Sequence, residues 1–168
     1  MNHTKSKVQW CLDKAKKELE QGKKHRGLIK IESNNRLSKS HLFKAEHNLK
    51  VTLYLQKGGF TDWCSSSLFY TIYHCFLAIL AKCGYKTRNQ ECTFAVIADL
   101  INNKKIDLEL NDLEKISSIG NMQESNSVVS IREEYQYGTK VSLENKEYEE
   151  LLHLTRKILD KTKEILVE

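Results

Sequence analysis

The chain contains no proline in 168 residues and only seven glycines. Strand-and-turn folds need more punctuation than that, so the scarcity argues against a sandwich or barrel. Long helices joined by short polar loops need little of it, and the length is that of one domain able to bury a sizeable core. Cysteine is sparse and oddly placed: Cys11, Cys64, Cys75, Cys83 and Cys92 form no CxxC pair. That spacing argues against a zinc knuckle and against a disulfide framework. With several of the five among apolar residues, the reading is reduced core thiols in a cytoplasmic protein. There is no Gly-rich phosphate loop, and no histidine has a ligand partner at metal spacing, so neither cofactor nor metal is expected. The opening MNHTKSK lacks the apolar core of a signal peptide. No internal repeat and no low-complexity segment is visible.

What is present is a dominant apolar stretch, Thr61 to Gly84. Between Leu68 and Ala81 its polar exceptions, tyrosines aside, are Thr71 and His74. A helix apolar on nearly every side is a buried one, and this run is read as too short and too interrupted to span a bilayer. Gly58-Gly59 breaks the chain before it, Thr61 or Asp62 is placed to cap it, and Gly84 stands where a closing glycine belongs. It is therefore expected to be the central helix of the domain, with any function built around its polar exceptions.

Other helices are expected around it. Val8, Leu12, Ala15 and Leu19 repeat at helical spacing over 5–21. Leu42, Ala45, Leu49 and Leu53 do so over 38–57, and the short Gly58-Gly59 turn implies that this helix lies antiparallel to the central one. Thr87 and Gln90 have the spacing of a capping box ahead of a helix carrying Cys92, Val96, Ile97, Leu100 and Ile101. A weaker helix is expected over 108–119, then a polar loop from Gly120 to Ser127, a short helix over Val128–Tyr137 ending at Gly138, and a last helix from near Ser142 to the end. Lys157, Lys161 and Lys163 suit that helix's final turns electrostatically. The fold class that follows is all-α: an antiparallel helical bundle of four to five core helices with shorter ones added.

Charge is unevenly spread. Residues 1–57 hold 14 Lys/Arg against 5 Asp/Glu, while the whole chain has a net charge of +5, so the remainder is acidic. The densest positive cluster, Lys23, Lys24, Arg26 and Lys30, lies in a connection over 23–35 that has no sustained periodicity. A connection of that length is more often functional than a short one, which makes these four residues candidates for phosphate contact. The bland alternative is a set of ordinary solvated lysines.

Several segments taken together resemble a known family. They are AlaGluHisAsnLeu (45–49), GlyGlyPheThrAspTrp (58–63), SerLeuPheTyrThrIleTyrHis (67–74), GlyTyrLysThrArgAsnGlnGluCysThr (84–93) and ArgGluGluTyrGlnTyrGly (132–138). In this order they are similar to the HEPN domain, the higher eukaryote and prokaryote nucleotide-binding domain, in its small stand-alone prokaryotic or archaeal form. The resemblance covers about residues 38–166, leaving 1–37 as an N-terminal helix and basic connection within a single domain, 1–168. It implies a helical bundle, often homodimeric. Many members are metal-independent ribonucleases, some of them toxins paired with a small nucleotidyltransferase antitoxin. Their signature is an arginine followed, four to six residues on, by a histidine. Such chemistry needs a base near neutral pKa and a cation on the phosphorane.

The chain departs from that signature at its centre. Arg132 stands at the matching position, but the residue at the expected offset is Tyr137. A tyrosine with pKa near ~10 is a poor base at neutral pH, although it can donate a hydrogen bond or stack on a base. Arg36 and His41 do have the spacing but lie at the start of the second helix, away from the family's site, and are read as an accidental match. Two readings stay open. One is a catalytically degenerate dimeric module that binds RNA, a nucleotide or a partner protein. The other is a ribonuclease toxin using Arg132 and Tyr137. Tyr70, Tyr73, His74 and Arg88 join the basic connection as candidate contacts to nucleic acid or nucleotide. For His74 and the tyrosines the competing reading is a core side chain with a hydrogen-bonded or wet tip.

Overall fold

The computed structural model describes residues 2–117 and 127–167. Over those residues the chain is an all-α bundle with one two-stranded ribbon. The helices are α1 (Asn2–Glu20), α2 (Asn35–Lys57), α3 (Thr61–Lys82), α4 (Gln90–Asn102), α5 (Leu110–Ile116), α6 (Val128–Tyr137) and α7 (Asn145–Val167), and the strands are β1 (Leu28–Lys30) and β2 (Tyr85–Thr87). Ile119 of the expected fifth helix and the expected loop over 120–126 lie outside the described residues.

α3 is the centre. Leu68, Phe69, Ile72, Cys75, Phe76, Ile79 and Leu80 are all buried, and α2, α4, α6 and α7 pack around it. At 22 residues it does meet the length and composition of a membrane span, contrary to the sequence reading, but most of it is buried inside the fold. The cap is also not the one expected. The N-cap position is Phe60, with no side-chain cap bond. Thr61 is already helical, and its Oγ1 instead accepts the Leu143 backbone N–H at 2.9 Å, tying the chain beyond α6 back to the start of α3. The far end closes as the glycine requires: Gly84 takes φ +80°, a left-handed conformation that favours a residue without Cβ.

Directions follow from the cross-helix contacts. Ser38 Oγ donates to Ala78 O at 2.8 Å, and Thr52 Oγ1 donates to Ser67 Oγ at 2.7 Å. The start of α2 thus meets the end of α3, and the helices are antiparallel. Arg132 of α6 meets Phe69 while Leu143, beyond α6, meets Thr61, so the chain from α6 onward returns toward the start of α3. α7 runs in the same direction as α3, since Lys82 Nζ donates to Ile165 O at 2.7 Å and Cys75 lies beside Thr162. Three lysines of α7 pair across elements, Lys157 with Asp112 (2.7 Å), Lys161 with Asp107 (2.7 Å) and Lys163 with Glu46 (3.0 Å), and Lys161 also pairs with Glu164 in the last turns of α7 (3.1 Å).

Three further expectations are corrected. The 23–35 connection is not aperiodic coil throughout. Leu28 pairs with Thr87, Ile29 with Lys86 and Lys30 with Tyr85, antiparallel. Three-residue strands leave too few positions for a period-2 signal, which is why the pattern missed them. α4 begins with Asn89, whose side chain accepts the Cys92 N–H at 2.9 Å, in place of a Thr87–Gln90 box. Thr87 is part of β2. The third correction concerns the thiols. Cys11 and Cys92 are joined in a disulfide that ties α1 to α4, across 81 residues of sequence. Cys64 and Cys75 are buried free thiols as expected, and Cys83 is free and half-buried. The cysteine argument for a reducing compartment therefore loses two of its five residues. α1 and the ribbon come close enough that a Cβ at Gly27 would overlap Cys11 O and sit 3.2 Å from the Ala15 Cβ.

Candidate functional site

Not all of α3 is covered. Between its first two residues and its last, Trp63, Ser66, Ser67, Tyr70, Tyr73, His74 and Leu77 are the positions that keep solvent access, at the three- and four-residue spacing of one helical face. This open stripe holds the polar exceptions that the sequence marked, His74 and the two tyrosines. Thr71, the other exception, is buried, with its Oγ1 donating to Ser67 O at 2.8 Å, and takes no part.

A continuous row of rings runs along and beside the stripe. It begins at Arg132, whose guanidinium lies 4.5 Å over the Phe69 ring. The Arg132 side chain is only 11% exposed, its Nη2 donates to Glu133 Oε1 at 3.0 Å, and its buried Nε has no partner among the described residues. Phe69 stacks on Tyr73 at 5.8 Å between centroids, and Tyr70 meets Phe69 edge-on at 5.2 Å. Tyr73 meets His74 edge-on at 6.4 Å, and its hydroxyl shares a 3.4 Å hydrogen bond with Thr93 Oγ1 of α4. The row ends at a histidine pair: His74 Nδ1 and His41 Nδ1 are 3.0 Å apart, with the rings 5.3 Å between centroids.

The electrostatics of that end are positive. Burial pushes the His74 imidazole down to about 4, helped by His41 and Lys44. His41 is lowered by burial and by Lys86. Both rings are therefore neutral at pH 7, and one donates its Nδ1–H to the other. Burial raises the Tyr73 phenol, with the Thr93 hydrogen bond opposing and Tyr70 adding to the rise, so it stays protonated.

The remaining predicted residues divide. Tyr137, the last residue of α6, is 76% exposed and has no hydrogen-bond partner among the described residues. Five positions along a helix turn it roughly 140° away from Arg132, so the two are not brought together. Tyr70 is 42% exposed on the open stripe. The basic residues gather on the ribbon. Lys30 lies exposed on β1, and the Arg88 backbone N–H donates to Gly27 O at 3.2 Å. The Arg26 backbone N–H donates to the Glu18 carboxylate, and its guanidinium stays exposed 3.8 Å from Glu18 Oε1. Lys23 and Lys24 lead into the ribbon from α1, exposed, with Lys23 Nζ donating to Gln21 Oε1 at 3.0 Å. Lys86 of β2, paired with Ile29 of β1, is the ribbon residue whose charge acts on His41. His47 and His153 are exposed.

Sequence reasoning set His41 aside as part of a chance spacing and did not single out Phe69, Thr93, Lys44 or Lys86. For His41 a signal existed. The helical hairpin turning at Gly58-Gly59 sets Ser38 against Ala78 and Thr52 against Ser67, and the same register sets His41 against His74.

Comparison of the chain with models of known protein families and with curated proteins finds no match in either.

Proposed function

We propose that this chain is a HEPN-like module that binds single-stranded RNA along the open face of α3, and that it does so without the family's usual ribonuclease motif. The observation that carries the reading is the ring row ending in cations: Arg132 on Phe69, then Tyr73, His74 and His41, with Lys44 and Lys86 acting on the histidines. Tyr70, Tyr73, His74 and His41 keep solvent access and give bases a surface to stack on, backed by the buried Phe69. Guanidinium and ammonium groups give phosphates a counter-charge. The basic ribbon at one end extends the same electrostatic surface. No histidine follows Arg132, and the tyrosine in its place points elsewhere, which favours binding over cleavage.

The module is proposed to act as a homodimer. Phe43, Val51 and Tyr54 leave an apolar stripe exposed along α2, with Phe43 72% and Tyr54 77% exposed, and Phe60 and Trp63 continue it around the turn. Size measurement in solution tests this directly, and a monomer at all concentrations would remove the dimer from the proposal.

The binding test is fluorescence anisotropy with a labelled single-stranded RNA over a range of salt, beside Arg132→Ala. Binding that weakens steeply with salt and is reduced in the variant supports the reading. Salt-independent binding, or none from folded protein, would sink it. A second reading, a metal-independent ribonuclease, is favoured by one observation, the presence of a histidine pair on the same row as Arg132. Cleavage of the RNA in EDTA, lost in Arg132→Ala, would put that reading first.

A further inference from the structure

We infer that His41 and His74, together with Lys44 and Lys86, form a site for one phosphate group, and that the histidine pair takes up a proton as the phosphate binds. The choice of ligand rests on the RNA-binding reading above, but the geometry is its own. The pair is held by the α2–α3 register, with Nδ1 to Nδ1 at 3.0 Å. That contact occupies one nitrogen of each ring. Neither Nε2 has a hydrogen-bond partner among the described residues, and both rings keep partial solvent access.

The surroundings carry one sign of charge. The charge of Lys44 on α2 acts on His74 and that of Lys86 on β2 acts on His41, while from α3 the neutral Tyr73 ring borders His74. No carboxylate among the described residues hydrogen-bonds to either ring. Two neutral imidazoles within the field of two ammoniums have no such carboxylate partner, and an oxyanion supplies the missing counter-charge. A phosphate beside the rings favours imidazolium over imidazole, by the same Coulomb interaction that the lysines now exert in the opposite direction. The proton comes from solvent and goes to the pair, where the Nδ1–Nδ1 contact lets the two rings share it. A divalent cation would meet Lys44 and Lys86 instead, and no group of three or more His, Cys, Asp or Glu among the described residues gathers to hold a metal.

The test follows the histidine side-chain NMR signals of the whole chain while a small phosphate ligand is added between pH 5.5 and 8. UpU carries a diester that stays singly charged over that range, and 5′-AMP carries a monoester. Movement of the His41 and His74 signals toward their protonated positions supports the site. The ester that produces the movement separates an RNA backbone from a free nucleotide as the source. UpU affinity is expected to rise about tenfold per unit fall in pH while one proton is taken up. Lys86→Ala, on an exposed strand residue, and His74→Gln, checked for native circular dichroism, are each expected to weaken UpU binding about tenfold. Unmoved histidine signals with both ligands would overturn the inference even if RNA binds elsewhere on the protein. Movement on adding Zn²⁺ but neither phosphate would overturn it in favour of a metal site. If UpU moves the pair while long RNA fails to bind, the site stands and the RNA module falls.

Discussion

The two faces of α3 differ in how they satisfy their polar groups. On the closed face and on α7, the buried polar side chains are hydroxyls that fold back on their own helices. Thr71 Oγ1 bonds Ser67 O, Thr155 Oγ1 bonds Leu151 O and Thr162 Oγ1 bonds Ile158 O, all within one turn. Such groups need nothing from neighbouring elements, so apolar packing sets that face. On the open face the partners come from far along the chain. His74 meets His41 and Tyr73 meets Thr93, and beneath them the buried Phe69 carries Arg132. Long-range polar contacts left half-exposed add little to a core. The closed face is thus built for stability, and the open one has the features of a site.

That contrast can be broken by mutation. The largest effect is expected at Phe76, which is 1% exposed and packs edge-on against Phe94 of α4. Phe76→Ala should cost about 3–5 kcal/mol in urea denaturation. A cost below ~1 kcal/mol would mean that the closed face is not the structural one. Next in size is the bond between Cys11 and Cys92. Its removal by Cys11→Ser with Cys92→Ser should cost about 2–4 kcal/mol, because a long loop gains freedom in the unfolded chain. The same loss should appear when the native protein is unfolded in a thiol reductant, and a midpoint indifferent to reductant would show that the bond does not form.

A smaller effect carries a definite sign with pH. His74 titrates in the fold at about 4, below the ordinary histidine value of 6.5. As pH falls through that window, the unfolded chain takes up a proton before the folded one does. The His74 contribution should therefore be present above pH ~6.5 and be lost progressively toward pH ~4. Urea midpoints across this range should fall more steeply for the native protein than for His74→Gln. Equal slopes would mean that the ring is not held neutral by its surroundings. The smallest effect on stability is expected at Tyr54, on the exposed stripe of α2. Tyr54→Ala should stay within about 0.5 kcal/mol of the native protein. It should nevertheless shift the monomer–dimer balance in sedimentation, and an unchanged balance would take this stripe out of the proposed interface.

Much of the fold was legible in the chain. Helical spacing of Leu42, Ala45 and Leu49 located α2, Gly58-Gly59 located the hairpin, and Val128 with Gly138 bounded α6. Tyr70, Tyr73 and His74 could be marked from their place in an apolar helix. His41 could not be matched to His74 without the hairpin register. Lys86 belonged to a strand too short to show a period. The pairing of Cys11 with Cys92 depends on α1 lying against α4, a contact between segments some eighty residues apart that leaves no trace in local spacing.

By itself, then, the sequence determined the elements and the buried face of each, because periodicity and breakers act over a few residues and are written locally. Only the tertiary structure decided which polar side chains meet. A hydrogen bond or a ring contact is a matter of a few ångströms between residues that the chain separates by tens of positions. His41 on His74, Arg132 on Phe69 and Lys86 beside the pair exist because helices cross at one register and not another.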